Sequence, residues 1–295
     1  MKLEAWLRVT AAVVIAGGML VEAASAQKAE QGFQYPLAVA AAADGSLYVA
    51  DRMLPGVWKV ADGKATVFSR GEKRFRTPLN AIRAVAVSAD GTLYAGDSAT
   101  REVYRLADDG SPTPLTNGGI GIPVDIAINS NGQLFVSDLE TQRIWKVPAA
   151  GGTPEELVQL AAPRGLFVDN QDRLWAIAAS GEAPLVRVSV DGSVEPVVAT
   201  RAFEFPHDVV VADDGSAVVS DNYARCLWKV SPEGEVTKLA EGEPLAGPVG
   251  LAAGSNGGVL VADPRAKTIF LADNSGTLTV VAPTAQVQLE GEQAP

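Results

Sequence analysis

The sequence predicts an all-β protein made of six small antiparallel sheets, each of four strands, arranged in a ring. Two sets of positions recur along its 295 residues with the same spacing. One is a tight turn, usually Asp-Gly or Asn-Gly, and the other is an apolar, mostly aromatic position one strand later. Successive members of both sets lie 46, 41, 41, 42 and 42 residues apart, so one unit is repeated six times. The turns are Asp44-Gly45, Asp90-Gly91, Asn131-Gly132, Asp172-Arg173, Asp214-Gly215 and Asn256-Gly257, and the aromatic column is Trp58, Tyr104, Trp145, Val186, Trp228 and Phe270.

Each unit contains short runs of β-branched and aromatic residues bounded by turn residues, as in residues 47–49 and 209–211. Asp-Gly and Asn-Gly tolerate the positive φ of tight hairpin turns, and a second turn that contains glycine follows the aromatic column. One four-stranded sheet cannot bury both of its faces, whereas a closed ring lets each sheet pack against two neighbours. The pattern is typical of a six-bladed β-propeller, which we predict at residues 35–283. The one longer spacing indicates an insertion between the first two blades, at residues 69–79.

The first 26 residues have the pattern of a secretory signal peptide. Lys2 and Arg8 are basic, residues 9–21 are apolar, and Ala24-Ser25-Ala26 provides a cleavage site with small residues. We expect cleavage after Ala26, a secreted or periplasmic protein, and no insertion into a membrane after the signal is removed. The alternative is an uncleaved membrane anchor, but the apolar run is short for a span of about 30 Å of hydrocarbon.

The composition indicates a folded, acidic protein. Hydrophobic residues make up 47% of the chain, charged residues 20%, and the net charge is −11. This apolar content argues against disorder, and the negative charge argues against nucleic acid as a partner. Cys226 is the only cysteine, which excludes an intramolecular disulfide and a zinc site made of several cysteines. Residues 27–34 and 284–295 are polar and are predicted to be a lead-in and a tail outside the propeller.

The clearest repeat reads PVDIAINSNGQLFVSDLETQRIWKV, at Pro123–Val147. It resembles the NHL repeat, and the resemblance extends over all six units. The pattern is also similar to the wider group of six-bladed propellers that includes gluconolactonases, regucalcin-type lactonases, strictosidine synthase and paraoxonases. This resemblance implies the fold but no particular activity, because function depends on the site that a fold carries.

Two residues open the first strand of each blade at the face that we call the top, where the central channel has its mouth. The repeat prefers a small residue at the second of these positions, and Asp125 and Asp208 depart from that preference. Arg83, Arg164 and His207 stand at the first position. If these side chains reach the mouth, they form a mixed cluster of two arginines, two aspartates and one histidine. Alternatively, the aspartates accept hydrogen bonds from neighbouring loops and the arginines pair with them.

The same positions argue against a metal cofactor. The metal-dependent lactonases that the chain resembles hold a divalent cation at the channel mouth with Glu, Asn and Asp side chains. The first positions here are Leu37, Arg83, Val124, Arg164, His207 and Val249. None of them supplies the oxygen ligands that hard cations prefer. We therefore expect no cofactor, and a divalent cation such as calcium is the alternative.

Two further groups of charged residues bear on function. A carboxylate ends the second strand of five blades, and because it repeats we expect it to accept backbone N–H groups of the following loop. This column is Asp51, Asp97, Asp138, Ala178, Asp221 and Asp263, with Arg101, Arg143, Arg225 and Lys267 as candidate ion-pair partners. The basic residues of the insertion are Arg70, Lys73, Arg74 and Arg76, around Phe75. Because they precede Arg83, they predict a top-face pocket for an anionic ligand, with a solvated loop as the alternative.

These observations favour a binding or scaffold protein whose top face binds a protein segment or an anionic small molecule. The candidate ligand-binding residues are Arg83, Arg164, His207, Asp125, Asp208, Arg74 and Arg76. The alternative is a hydrolase acting on lactone or ester bonds, or a lyase. In that case His207 pairs with Asp125 or Asp208 as a general base, and the arginines orient an anionic substrate.

Overall fold

The computed structural model of the protein describes residues 32–179 and 182–282. The predicted signal peptide at residues 1–26 and the predicted tail at residues 284–295 lie outside these ranges. Within them, β-strands β1 to β24 form six four-stranded antiparallel sheets, and the helical structure is one 3₁₀ turn at Ser255–Gly257. The predicted all-β, six-bladed propeller is therefore confirmed. No helix in the described part of the chain is long and apolar enough to cross a membrane.

The six blades follow one another along the chain. Blade 1 is β1 (Pro36–Ala41), β2 (Leu47–Asp51), β3 (Gly56–Ala61) and β4 (Lys64–Arg70). Blade 2 is β5 (Ile82–Val87), β6 (Leu93–Asp97), β7 (Glu102–Leu106) and β8 (Pro112–Pro114). Blade 3 is β9 (Pro123–Ile128), β10 (Leu134–Asp138), β11 (Arg143–Val147) and β12 (Glu155–Gln159). Blade 4 is β13 (Pro163–Val168), β14 (Leu174–Ala178), β15 (Leu185–Val188) and β16 (Val194–Val198). Blade 5 is β17 (Pro206–Val211), β18 (Ala217–Asp221), β19 (Cys226–Val230) and β20 (Val236–Glu241). Blade 6 is β21 (Gly250–Ala253), β22 (Val259–Asp263), β23 (Thr268–Ala272) and β24 (Leu278–Ala282).

The first strand of every blade faces the central channel. The first strands of neighbouring blades contact one another around the ring, and β1 contacts β21 where the ring closes. In the described ranges each sheet contains four consecutive strands, so the ring closes without an exchange of strands. An apolar cluster shared by blades 1 and 6 covers this closure, and in it Phe33 packs edge-on against Trp58 with the ring centres 5.7 Å apart. Phe33 is therefore part of the propeller core, and the predicted position of residues 27–34 outside the propeller is wrong at this residue.

The turns between the first and second strands have the positive φ that the sequence predicts, with one correction to their alignment. Gly45 has a φ of 82° in blade 1. In blade 4 the residue that corresponds to Gly45 is Asp172, which has a φ of 58°. The two residues correspond because the N–H of each closes the turn by donating to the carbonyl three residues earlier, Asp169 O in blade 4. The turn pair is therefore Gln171-Asp172, and the predicted pair Asp172-Arg173 is wrong by one residue. Aspartate fits this position because it tolerates the left-handed conformation better than most residues do.

The aromatic column lies in the core. Trp58, Tyr104 and Phe270 are buried, and Val186, the small member of the column, is buried as well. Each of six apolar clusters combines residues of two neighbouring blades, so the blades stabilise one another by burying their shared faces. Cys226 is also buried, and its thiol donates to a backbone carbonyl 3.3 Å away, as expected for a small core residue.

Candidate functional site

Three basic side chains come together where the first strands of blades 2, 4 and 5 begin. Arg83 is the second residue of β5, Arg164 of β13 and His207 of β17. Arg164 Nη1 lies 3.4 Å from His207 Nε2. The charge of Arg83 acts on both Arg164 and His207, which places all three in one electrostatic neighbourhood. The channel mouth is therefore lined by three of the residues that the sequence analysis proposes for ligand binding.

The guanidinium of Arg164 lies over an aromatic stack. Its Cζ is 4.4 Å from the centre of the Phe205 ring, and Phe205 stacks on Tyr223 with ring centres 4.5 Å apart and an interplanar angle of 15°. The Phe205 ring contacts the guanidinium without using its N–H groups, which donate hydrogen bonds along the edges of the group. Nη1 faces His207, whereas the buried Nε has no hydrogen-bond partner among the described residues.

Within the described residues, no carboxylate is paired with the positive charge at the mouth. Neither Arg83 nor Arg164 forms an ion pair with a residue in the described ranges. Burial lowers the pKa of Arg83, and the charge of Arg52 lowers it further. Burial and the charge of Arg83 likewise lower the pKa of Arg164. The mouth is therefore a site of unbalanced positive charge in a chain whose net charge is −11.

His207 is a neutral member of this group. Burial lowers the pKa of His207 to about 3, and the charges of Arg164 and Arg83 act in the same direction. Because arginine can only donate, His207 Nε2 is the acceptor and Nδ1 carries the ring proton. The partner of His207 is thus Arg164, and the predicted pairing with Asp125 or Asp208 is wrong. A ring with so low a pKa is a weak general base at neutral pH.

Asp125 and Asp208 link neighbouring blades. One carboxylate oxygen of Asp125 accepts from the N–H of Leu166, on the first strand of the next blade, at 2.6 Å. Asp208 does the same with the N–H of Leu251 at 2.7 Å. The other oxygen of each accepts from the N–H of the following residue, at 2.9 and 2.7 Å. The aspartates therefore accept hydrogen bonds, as one sequence-based alternative expected, but the donors lie in first strands and not in loops, and the arginines do not pair with the aspartates.

These two carboxyl groups are held in unfavourable surroundings for a negative charge. Burial raises the pKa of Asp125 to about 6. Burial and the charge of Asp125 raise the pKa of Asp208 well above its ordinary value. Both line the upper part of a channel cavity of about 210 Å³ whose walls are otherwise apolar residues of the first strands of blades 1, 2, 4 and 6 and of blade 3 itself. The predicted mixed cluster is thus divided into a cationic mouth and a carboxyl pair in the channel wall.

A close approach of two blades sets the position of Asp208. A Cβ atom at Gly165 would lie 2.1 Å from Asp208 Oδ1 and 2.4 Å from Asp208 Cα. Since a side chain has no room there, β13 and β17 can approach this closely only because residue 165 is glycine. The approach also brings Arg164 and His207, which precede these two residues, into contact across the same blade boundary.

The carboxylates that end the second strands have the structural role that the sequence predicts. Asp138 is fully buried and accepts from the N–H groups of Gly121 and Ile122, at 2.7 and 2.9 Å, and from Trp145 Nε1 at 3.0 Å. It also accepts from the N–H of Glu140, in the loop after its own strand, at 3.0 Å. Each such carboxylate therefore ties this loop to the connection that enters the blade. The equivalents with similar bonds are Asp51, Asp97, Asp221 and Asp263.

Two of the four candidate cations near these carboxylates have other partners. Arg101 pairs with Glu140 at 2.5 Å and Arg143 pairs with Glu156 at 2.6 Å, so the predicted pairing of these two arginines with the carboxylate column is wrong.

The insertion does not extend the cationic mouth. Arg74 pairs with Glu72 at 3.4 Å, and Arg76 lies over the ring of Phe75 at 5.2 Å. All of these side chains are exposed, and the contacts of Arg74 and Arg76 lie within the insertion itself. The structure therefore does not bring these two predicted ligand-binding residues to Arg83.

The aromatic residues of the mouth are not among the ligand-binding residues predicted from the sequence. Phe205 and Tyr35 each precede the proline that begins a first strand, where three other blades have Ala81, Ile122 and Ala162. The same comparison of columns that identified Arg164 would have identified Phe205. The stacking of Tyr223 on that ring depends on the path of a loop, and the repeat pattern carries no signal for it.

No group of three or more His, Cys, Asp or Glu side chains that could hold a metal ion occurs within residues 32–179 and 182–282. The donors at the mouth are two arginines and a histidine, whereas calcium prefers oxygen ligands.

Comparison with known proteins supports the repeat and the fold. A model of the NHL repeat matches residues 121–147, in blade 3. Peptidyl-glycine alpha-amidating monooxygenase A from Xenopus laevis is 29% identical over 118 residues, which cover 36% of this chain. The match spans 13% of the length of that relative.

Several solved structures have the same fold. The nidogen/laminin complex contains a chain with a TM-score of 0.68 and 18% identity, over 81% of this chain and 93% of that one. Virginiamycin B lyase from Staphylococcus aureus has a TM-score of 0.66 and 16% identity, over 86% of both chains. A gluconolactonase from Xanthomonas campestris has a TM-score of 0.66 and 15% identity, over 79% and 84%. This chain therefore contains an NHL repeat and is a six-bladed β-propeller similar to the gluconolactonase and virginiamycin B lyase structures.

Proposed function

We propose that this protein is an exported binding module whose channel mouth binds an anionic group, presented by a protein segment or a small molecule. The observation that carries the proposal is the free, buried Nε of Arg164 in a group of arginines without carboxylate partners. A buried donor without an acceptor is unfavourable, and so is the repulsion between Arg83 and Arg164. A bound anion removes both penalties at once.

The geometry of Arg164 narrows the chemistry of the ligand. Its Cζ lies over the Phe205 ring and its Nη1 faces His207, so a ligand is proposed to bind along the edge formed by Nη2 and the buried Nε, with the side chains that cover Nε moving aside on binding. That edge presents two parallel N–H groups, which match the two oxygens of a carboxylate or a phosphate. Arg83 supplies a second cation for the same anion.

The aromatic stack offers a second contact beside the anion. Tyr223 is 61% exposed at the end of the stack with Phe205. Exposed aromatic rings beside arginines are typical of the anchoring points of protein interfaces. A protein partner is further supported by analogy with the nidogen/laminin complex, a structure of a similar propeller with a protein partner.

The test is titration of the purified protein with inorganic phosphate, benzoate and a peptide with a free C-terminal carboxylate, followed by calorimetry. The double variant Arg83→Ala/Arg164→Ala is expected to lower the affinity for the best of these ligands at least about 30-fold, since charge-assisted bonds contribute roughly 1.5–3 kcal/mol each. The matched control is Arg105→Ala/Lys229→Ala, which removes two exposed cations outside the mouth. Equal affinities for the parent and the mouth variant would refute the proposal.

A hydrolase or lyase is the alternative function, and the geometry supports it less well. His207 has Arg164 as its partner and a pKa of about 3, while Asp125 and Asp208 accept backbone hydrogen bonds. A panel of lactones and esters, assayed with and without calcium, tests this alternative. Turnover that is lost in Asp208→Ala while the fold is retained would favour it over a binding module.

Export rests on the first 26 residues of the sequence. N-terminal sequencing of the protein purified from its own host is expected to begin at Gln27, because the small-residue cleavage site ends at Ala26. A protein that accumulates with Met1 or Lys2 at its N-terminus would contradict cleavage.

A further inference from the structure

A second feature of the top face lies at its edge, between blades 1 and 2. We call it the rim patch and define it as residues 52–55, in the loop after β2, together with residues 71–80, in the insertion after β4. The two segments adjoin, because the N–H of Gly71 donates to the carbonyl of Pro55 at 2.6 Å. The rim patch adjoins the channel mouth through Arg52, whose charge acts on Arg83, but Met53 and residues 73–76 are not among the residues that form the proposed anion site.

The insertion has a defined conformation. The Thr77 hydroxyl and the Asn80 side-chain amide both donate to the carbonyl of Arg74, at 2.8 and 2.7 Å. Leu79 is buried and anchors the base of the segment. A Cβ at Gly71 would lie 2.3 Å from the Leu79 carbonyl, so the two ends of the segment are in close contact. These contacts hold the two ends of the insertion together, while the side chains between them face solvent.

Two large apolar side chains of the rim patch face solvent. Phe75 is 88% exposed, the most exposed large hydrophobic residue in the described ranges, and Met53 is 53% exposed. Exposure of a phenylalanine side chain to water is unfavourable for the isolated protein. Exposed apolar surface of this kind is typical of an interaction surface.

The charge of the rim patch is opposite to that of the chain. Lys73, Arg74 and Arg76 are exposed around Phe75, whereas the net charge of the chain is −11. Glu72 is the one carboxylate within residues 71–80, and its pair with Arg74 at 3.4 Å is exposed on both sides and therefore weak. The patch combines exposed apolar side chains with excess positive charge.

We propose that the rim patch docks on an anionic lipid surface, with Phe75 and Met53 at the level of the headgroups and the three cations against lipid phosphates. Aromatic and basic side chains together are typical of interfacial attachment, and each Lys or Arg near an anionic membrane adds attraction that salt weakens. The contact is peripheral and involves side chains alone.

The shape of the patch favours a lipid surface over an acidic protein. Phe75 is 88% exposed within the insertion, and a protein partner would have to supply a pocket that fits this side chain. A headgroup layer accepts an exposed ring wherever it meets the surface. Lys73 also fits this reading, since lysine is depleted in the centres of protein interfaces.

The test is cosedimentation of the protein, in the form that accumulates in its host, with phosphatidylcholine vesicles that contain or lack about 30% phosphatidylglycerol. We expect binding to the anionic vesicles that falls as salt is raised from about 50 to about 500 mM. Phe75→Ser is expected to lower the partition coefficient about fivefold. Lys73→Gln/Arg74→Gln/Arg76→Gln is expected to lower it at least about tenfold.

Two control variants separate the patch from general effects. Val190→Ser changes a residue that is 79% exposed on a turn of the opposite face. Lys64→Gln/Arg105→Gln/Lys229→Gln changes the net charge as much as the triple patch variant does, at exposed positions elsewhere. All of these sites are exposed, so the variants are expected to fold, and circular dichroism verifies it.

Three outcomes overturn the proposal. One is the absence of a difference between anionic and neutral vesicles, and another is an equal loss of binding in the charge control and the patch variant. The third is retention of the parent protein on immobilised polyglutamate, dependent on Phe75, without binding to vesicles, which would assign the patch to an acidic protein. Selective loss in both patch variants supports lipid docking.

Discussion

Two layers of charged side chains lie near the top of the propeller, one repeated and one variable. They differ in the hydrogen-bond partners that their charged groups have. The carboxylates that end the second strands recur in five blades, and each accepts several backbone N–H groups of its own blade. The residues that open the first strands differ from blade to blade. Among them, Asp125 and Asp208 each accept a backbone hydrogen bond from the next blade, and the Nε of Arg164 has no partner in the described residues. Repetition thus accompanies a structural role that is satisfied within the blade, whereas departure from the repeat accompanies either a bond to the next blade or, at Arg164, a donor without a partner in the described residues.

The largest expected effect comes from the repeated layer. Asp138→Ala leaves several buried N–H donors of Gly121, Ile122 and Trp145 without an acceptor. We expect it to lower the free energy of unfolding by about 4 kcal/mol, measured by urea denaturation. The control Asp44→Ala removes an exposed turn carboxylate and should lower it by less than about 1 kcal/mol. Similar losses in the two variants would remove the distinction between a repeated structural carboxylate and an ordinary surface one.

The next largest expected effect is on the pH dependence of stability, to which Asp125 in the variable layer contributes. Asp125 has a pKa of about 6 in the folded protein, above its ordinary value of 3.8, because it is buried. Its contribution to stability is therefore fully present below pH 4 and is lost as the pH rises through about 6. A shift of this size corresponds to about 2 to 3 kcal/mol.

Asp125→Asn removes this titration, so the free energy of unfolding of the variant should fall less between pH 4 and pH 7 than that of the parent. Urea denaturation at several pH values measures the difference. Asp44→Asn, at an exposed carboxylate whose pKa is lowered by hydrogen bonds from Ser46, should leave the fall unchanged. Parallel pH profiles for the parent and Asp125→Asn would show that the buried carboxyl does not titrate as described.

The smallest expected effect sharpens the description of the mouth. Tyr223→Ala removes the outer ring of the stack with Phe205, and since Tyr223 is exposed we expect the free energy of unfolding to change by less than about 0.5 kcal/mol. Affinity for the anionic ligand should fall about threefold, because the ring that supports Arg164 loses its own support. Calorimetry measures the affinity, and a larger loss of stability than of binding would make the stack structural.

The sequence predicts the fold well because the turn and aromatic columns repeat, and each needs a specific residue type for a physical reason. It fails at Asp172, where aspartate takes the place of glycine in the left-handed position and shifts the alignment by one residue. It identifies Arg83, Arg164 and His207, because they depart from the repeat. It cannot predict that Asp125 faces a backbone N–H of the next blade, since that bond depends on how closely two blades approach.

The closure of the ring has a consequence for how the protein is made. The first and last blades meet without sharing a strand, and their joint apolar cluster contains Phe33 and Trp58 from one end of the chain and Leu260 and Ile269 from the other. Until the last of these residues has left the ribosome, one side of blade 1 has nothing to pack against. The earliest part of the propeller to be synthesised is therefore among the last to become stable, and the growing chain needs protection from aggregation for most of its synthesis.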